Sequence, residues 1–300
     1  MGYVDLLYHN TYDDSKVNLG FKQMRDTILF GDCRDTLKQF DEKARMCVTS
    51  PPYYGLRDYG GEESQIGQEQ SPEEFIDELV KVFREVRNVL TDDGTCWVNL
   101  GDSYYNYRKD GCIPKQTFAK NRQDLPETTP RRSNKLKGLK EKDLIGIPWM
   151  FAFAMRADGW HLRQDIIWHK PNPMPESVKD RCTKAHEYIF LFSKQKNYFY
   201  DNEAIKEPAT DWGTRDRSKG KYKVNDYGQT PHSGLTKSYE KKNKRSVWSV
   251  TKKPYKGAHF ATYPPDLIEP CIKAGSEVGD IVLDPFMGSG TTAAVAKSLG

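Results

Sequence analysis

VLDPFMGSGTT, Val282–Thr292, compresses an apolar strand end, an acidic residue and a glycine turn leading into a helix. Glycines at such a turn let the backbone come close to a ligand at a helix N-terminus. The run is not a Walker A loop, because Thr291 rather than Lys follows Gly290, and Ala293 stands where the third glycine of G-x-G-x-x-G would be. PPDLIEPCIKAGS ahead of it reads as a helix, DIVLD as a strand and TTAAVAKSLG as the helix that follows the turn.

A second strand end is as distinctive. VTSPPYYGLRDYG, Val48–Gly60, leaves the apolar strand RMCVT through Ser50 and a prolyl-proline. Both prolines fix φ and lack an N–H, and each residue before a proline is pushed towards extended geometry. The chain therefore exits as a stiff rod, carbonyls outward and tyrosine rings beside them. Upstream, DTILFGDCRDTLKQF reads as a strand, a turn at Gly31-Asp32 and a helix. Downstream, SPEEFIDELVKVFREVRNVL carries a Ser71 cap, Pro72 at the first helical position, Glu74 completing a capping box, and an apolar face of Phe75, Leu79, Val82, Phe83, Val86 and Leu90. TCWVNLGD, HLRQDIIWHK and HEYIFLFSK read as strands, and DLIGIPWMFAFAMRADG as a helix. Strands and helices in alternation predict an α/β fold, a mostly parallel sheet covered by helices on both faces, with ligands beyond the carboxyl ends of the strands.

The 300 residues suit one large domain; 37% are hydrophobic and 29% charged, and no apolar run reaches membrane-span length. The start lacks the basic-then-apolar order of a signal peptide. Six cysteines without a C-x-x-C pair predict reduced thiols in a cytoplasmic protein and no zinc or other metal site. The net charge of +4 conceals two basic stretches: 11 Lys/Arg against 4 Asp/Glu over 106–142, and 13 against 3 over 213–256. A basic fringe on an acidic body is the electrostatic footprint of a polyanion binder, although solvated charged loops would read the same way.

Taken together, TSPPY, VLDPFMGSGTT, FGDCRDTL, RSVWSV, HFATYPPDLI and DIIWHKPNPMPESVKDRCTKAHEYIFLFSK resemble the amino-group DNA methyltransferases, which methylate the exocyclic nitrogen of cytosine or adenine. The catalytic motif precedes the cofactor motif, the order of the permuted β group. The resemblance implies a single Rossmann-like domain over 1–300, a basic insertion at 106–142 and a target-recognition insertion at 201–256. It implies S-adenosyl-L-methionine as cofactor and double-stranded DNA as partner, with base flipping, in a restriction–modification setting. A cognate restriction endonuclease and a homodimer are left open. Catalysis falls to Ser50, Pro51, Pro52 and Tyr53. Asp32 would contact the cofactor adenine; Asp284, Phe286, Gly288, Gly290 and Thr291 would surround the rest of it, and His259 with the residues through Pro264 would close the methionine end. Plainer readings exist: Asp32 as a helix cap, Asp284 as a strand-end cap, His259 as a loop residue. The family pattern continues with one more strand ending in an acidic residue, so the sequence is expected to stop short at Gly300, or the sheet to lack a strand.

The physics of the rod agrees. An exocyclic amine conjugated to a base is a weak nucleophile, and two fixed acceptors on its hydrogens favour the pyramidal nitrogen of the transition state. Ser50 Oγ and the Pro51 carbonyl suit that role, with Tyr53 stacking on a base taken out of the duplex. In the family a Ser before Pro-Pro-Tyr most often accompanies N4-cytosine methylation, and Asp or Asn there N6-adenine. The expectation is N4-cytosine, with N6-adenine as the alternative and a catalytically silent DNA-binding relative as a second. An enzyme acting on RNA or protein is a further alternative. The Pro-Cys at Pro270-Cys271 invites comparison with carbon-5 cytosine methyltransferases, but its amphipathic helical setting predicts a structural cysteine.

Overall fold

The computed structural model describes residues 26–55, 65–105, 136, 138–209, 240–252 and 263–300. The predicted insertions at 106–142 and 201–256 lie mostly outside the described residues, as does His259.

A short helix α1 (Cys33–Thr36) leads into a 3-10 turn, then strand β1 (Ala44–Thr49), helix α2 (Pro72–Val89) and strand β2 (Leu90–Leu100). Helix α3 (Ile147–Ala157), strands β3 (His161–His169) and β4 (His186–Ser193), and the two-residue strands β5 (Glu207–Pro208) and β6 (Lys241–Lys242) follow. Strand β7 (Val247–Ser249), helix α4 (Pro265–Gly275), strand β8 (Val282–Leu283) and helix α5 (Thr291–Leu299) complete the described part. Six strands form one sheet in the order β7-β3-β4-β2-β1-β8, and β5 and β6 form a separate pair.

The sheet is mostly parallel, and its one reversed strand has a plain cause. Parallel neighbours need a crossover, which α2 supplies between β1 and β2. No helix separates β3 from β4, so they pair antiparallel, and β4 is antiparallel to β2 as well. β1 pairs with β2 on one side and β8 on the other, parallel to both.

Residue alternation along the strands sorts two cores. Cys47, Cys96, Val98, Phe190 and Phe192 face α2 and α3, while Met46, Val48, Trp97, Ile189 and Leu191 face α4 and α5. The α2 cap forms as the sequence predicts: Ser71 Oγ accepts from the Glu74 N–H at 3.2 Å. The returning Glu74 carboxylate takes the Gln70 N–H at 3.1 Å, one residue before the cap. At the start of β1, Arg45 donates from Nε to Asp280 at 3.0 Å and from Nη1 to Asp93, joining β8's approach to the irregular start of β2.

One expected element is absent. Thr27–Phe30 is not a strand. Ile28, Leu29 and Phe30 are exposed by 54%, 42% and 78%, and β8 is the edge of the sheet on its side, with no strand among the described residues beyond it. β-branched and aromatic residues make a strand only where a ladder partner and a packing surface exist. Among the described residues no helix is long and apolar enough to cross a membrane.

Phe83 lies fully buried on α2, edge-on to Phe151 of α3 with ring centroids 5.2 Å apart. Truncation to Ala is expected to cost about 3–5 kcal/mol, read as a lowered urea midpoint at unchanged slope.

Candidate functional site

β1 and β8 run side by side in parallel, with Met46 opposite Val282 and Cys47 opposite Leu283. Their carboxyl ends therefore emerge together, and the two sequence motifs become neighbours in space. Asp284 ties them. Its Oδ1 accepts from Thr49 Oγ1 at 2.5 Å and from the Phe286 N–H at 3.0 Å. Its Oδ2 accepts from Thr292 Oγ1 at 2.5 Å and from Tyr263 Oη at 3.1 Å. Tyr263 Oη and Thr292 Oγ1 also lie within hydrogen-bonding reach of each other, so their two protons are shared among these three contacts. One carboxylate thus links the last residue of β1, the turn after β8, the first turn of α5 and the residue just ahead of the Pro264 cap of α4. Burial pushes the Asp284 carboxyl up, while the hydrogen bonds favour its charged form. Burial and the neighbouring Asp284 charge push the Tyr263 phenol well up, so it remains a donor at neutral pH.

Beyond Asp284 the turn presents backbone. Gly288 and Gly290 have φ of 54° and 77°, in the left-handed region. A Cβ placed on Gly290 would meet nothing within 4 Å among the described residues, so among them the N-terminal face of α5 is open. Gly290 caps α5, Thr291 is its first residue, and Ser289 and Thr291 hydroxyls lie 3.2 Å apart. Phe286 packs partly buried against the core beneath α2 and α3.

Asp32 caps α1, accepting from the Arg34 N–H at 2.8 Å. The Arg34 guanidinium binds both oxygens of that carboxylate and reaches Glu78 on α2 at 2.8 Å. The Arg34 hydrogen bond holds the Asp32 carboxyl below its usual value, and burial followed by the Asp32 charge pushes the Cys33 thiol up to about 11.

Ser50–Tyr53 follows β1 directly, outside any helix, strand or turn, with Pro51 buried. The rod is braced on both sides. Gly67 lies against it, where a Cβ would come 3.3 Å from the Tyr53 carbonyl, and Gly101 lies so close to the Tyr53 ring that a Cβ would meet Cε2 at 2.6 Å. Ser50 Oγ and Tyr53 Oη each approach Asn99 Oδ1 at 3.4 Å, and Tyr53 Oη donates to Glu187 Oε2 at 2.8 Å. Burial and the Glu187 charge push the Tyr53 phenol well above its ordinary value.

The structure thus brings Ser50, Pro51, Pro52 and Tyr53 to one strand end and Asp284, Phe286, Gly288, Gly290 and Thr291 to the adjacent one. Asp32 caps a different helix, and His259 lies outside the described residues. Motif reading passed over Thr49, Asn99, Lys170, Glu187 and Thr292. Thr49 and Thr292 lie inside the TSPPY and VLDPFMGSGTT motifs, whose pattern assigns them no role of their own. Asn99 and Glu187 are ordinary strand residues until strand register sets them beside Tyr53. Cys271, the Pro-Cys residue, is fully buried in α4 with its thiol turned back to the Leu267 carbonyl at 3.7 Å, and burial pushes that thiol far up.

The chain matches the DNA methylase family, the N6/N4 type, over residues 44–300. The Type II methyltransferase M.XycI of Xanthomonas campestris pv. cyanopsidis is 46% identical over 276 residues, covering 91% of this chain and 81% of that protein. M.Cfr9I of Citrobacter freundii is 45% identical over 272 residues, covering 90% and 79%. Among solved structures, the PvuII DNA methyltransferase, described as cytosine-N4-specific, aligns with a TM-score of 0.56 at 20% identity, covering 90% of this chain and 77% of that one. A putative DNA modification methylase from Thermus thermophilus, solved with S-adenosyl-L-methionine, aligns at 0.52 and 24% identity, covering 90% and 82%. The two structures share the fold, and the sequence relatives share far more: the chain belongs to the N6/N4 DNA methylase family.

Proposed function

We propose that this DNA methylase transfers a methyl group from S-adenosyl-L-methionine to the exocyclic N4 of cytosine in double-stranded DNA. The observation that carries the reading is the Ser50–Tyr53 rod at the end of β1, strapped through Thr49 and Asp284 to the glycine turn at the end of β8.

The residues fit the cofactor. The face at Gly290, open among the described residues, the α5 N-terminus and the half-buried Phe286 ring make a surface for a molecule that is part polar and part flat. Gly288, Gly290 and Thr291 would hold it, with Asp284 shaping the turn rather than offering a free carboxylate. Asp32 and His259 are assigned to it by family likeness. When bound, the cofactor supplies a methyl group on a sulfonium, and the sulfur keeps the bonding electrons as it leaves. The protein's share is placement. Ser50 Oγ directs its own proton towards Asn99 Oδ1, which turns its lone pairs to the other side, where they and the Pro51 carbonyl can accept the amine hydrogens. The new bond makes the nitrogen cationic, and one of its protons leaves to solvent. Tyr53 offers its ring to the extruded base. The serine oxygen lies closer to the backbone than a carboxylate or amide oxygen would, and this shorter reach favours cytosine over adenine.

The basic stretches at 106–142 and 201–256 are assigned to DNA. Arg and Lys there grip phosphates, and Asn121, Gln123, Arg131 and Arg132 are the candidate base readers.

Incubating the full-length protein with duplex DNA and S-adenosylmethionine, then digesting and weighing the nucleosides, is expected to give N4-methylcytosine. N6-methyladenine would overturn the base assignment and spare the mechanism. Ser50→Ala is expected to lower kcat about 10²–10³-fold, as the loss of one preorganised hydrogen-bonding group does; a parental rate would sink the assignment of the rod as the catalytic segment. Exchanging residues 213–256 for those of a relative with another target is expected to change the methylated sequence. An unchanged site would remove specificity from that stretch.

A further inference from the structure

The Tyr53 hydroxyl does not end in solvent. It donates at 2.8 Å to Glu187 Oε2, on the antiparallel strand β4. Glu187 Oε1 is held by Lys170 Nζ, just past the end of β3, and only 8% of that lysine side chain and 16% of that of Glu187 are exposed. Lys170 also sits over the Trp168 ring, 4.1 Å from its centroid. Asn99 completes the cluster. Its amide nitrogen donates to the Tyr188 carbonyl at 3.0 Å and approaches Glu187 Oε2 at 3.4 Å, which leaves Oδ1 turned towards Ser50 and Tyr53.

Stability is a poor reason for such a pair. Burying two charges costs desolvation that their attraction offsets only partly, and well-packed apolar residues are often as stable. Orientation is the better reason. The Tyr53 ring is fixed along one edge by its fit against Gly101, and a phenylalanine would keep that contact. Only the bond to a charged, immobile acceptor fixes the hydroxyl end, and bonds to charged acceptors are the stronger kind. That acceptor is immobile because Lys170 holds its other oxygen.

We propose that Glu187 and Lys170 are positioning residues for methyl transfer: the largely buried pair sets the plane of the Tyr53 ring and, through the Asn99 amide, the direction of the Ser50 hydroxyl. The proposal rests on the reading of Ser50–Tyr53 as the catalytic segment. Glu187 is in hydrogen-bonding contact with Tyr53 and Asn99. It acts through Tyr53 and Asn99.

Steady-state methylation of duplex DNA by the full-length protein tests this with Glu187→Gln, Tyr53→Phe and the two combined. Glu187→Gln is expected to lower kcat about tenfold while KM for the cofactor stays within about twofold, and the combined variant is expected to fall no further than the slower single variant, because residues acting as one unit are non-additive. A parental kcat in Glu187→Gln, or losses that multiply in the combined variant, would overturn the proposal. A fall in kcat matched by a rise in KM and a lowered thermal midpoint would overturn it too, since it marks a structural role. Should Glu187→Gln not fold with its lysine unpaired, the neutral variant Lys170→Met/Glu187→Gln takes its place, with the same kcat loss expected. Failure of that variant to fold makes the pair structural and ends the proposal. Ser50→Ala, assayed alongside, separates the levels: a parental rate there sinks the catalytic segment itself, whereas a slow Ser50→Ala beside a parental Glu187→Gln sinks only the positioning role.

Discussion

The hydrogen bonding of one carboxylate organises the working end of the sheet. Asp284 gathers hydroxyls from Thr49, Tyr263 and Thr292 and one backbone N–H from Phe286. Parallel pairing of β1 and β8 brings their ends near each other, but pairing by itself does not set the angle at which each chain leaves. The bond to Thr49 acts on the residue directly before Ser50, and the bond to Thr292 acts within the first turn of α5. Both motifs therefore take their exit directions from one fixed group. The cost is a partly desolvated charge, and four hydrogen bonds are what make that charge tolerable.

The same arrangement recurs behind the rod. Glu187 is partly buried beside a buried lysine, and its oxygens are shared among Lys170, Tyr53 and Asn99. At the other end of the described chain, Arg34 joins the α1 cap Asp32 to Glu78 on α2, in a more exposed setting. These networks draw on segments far apart in sequence, each contributing one or two side chains. A domain that must hold a reactive base in a fixed plane gains more from such rigidity than from the small net stability a charge pair supplies.

Hydrophobic alternation divides the sheet cleanly into two faces, which is why the helices could be assigned from their apolar stripes. Phe75, Leu79, Val82, Phe83 and Val86 lie fully buried, as the 3.6-residue spacing requires. The Thr27–Phe30 run shows where that logic stops. Its composition is that of a strand, yet it pairs with nothing among the described residues, because a strand is a property of two segments and composition describes one.

Most of the strands and helices, the Ser71 cap and the glycine turn that opens α5 were legible in the sequence, since each depends on neighbours a few residues away. So was the family, carried by TSPPY and VLDPFMGSGTT. Tertiary structure decided what the side chains at those places do. That Asp284 engages hydroxyls with both oxygens, that Asp32 is bound by Arg34, and that Glu187 and Lys170 stand behind Tyr53 follow from strand register and helix packing. The reversed β4 lays Tyr188 opposite Leu100 and so places Glu187 against Gly101. A shift of one residue would turn Glu187 to the opposite face, because side chains alternate along a strand. Local rules determine which elements form; only long-range register determines which of their side chains meet.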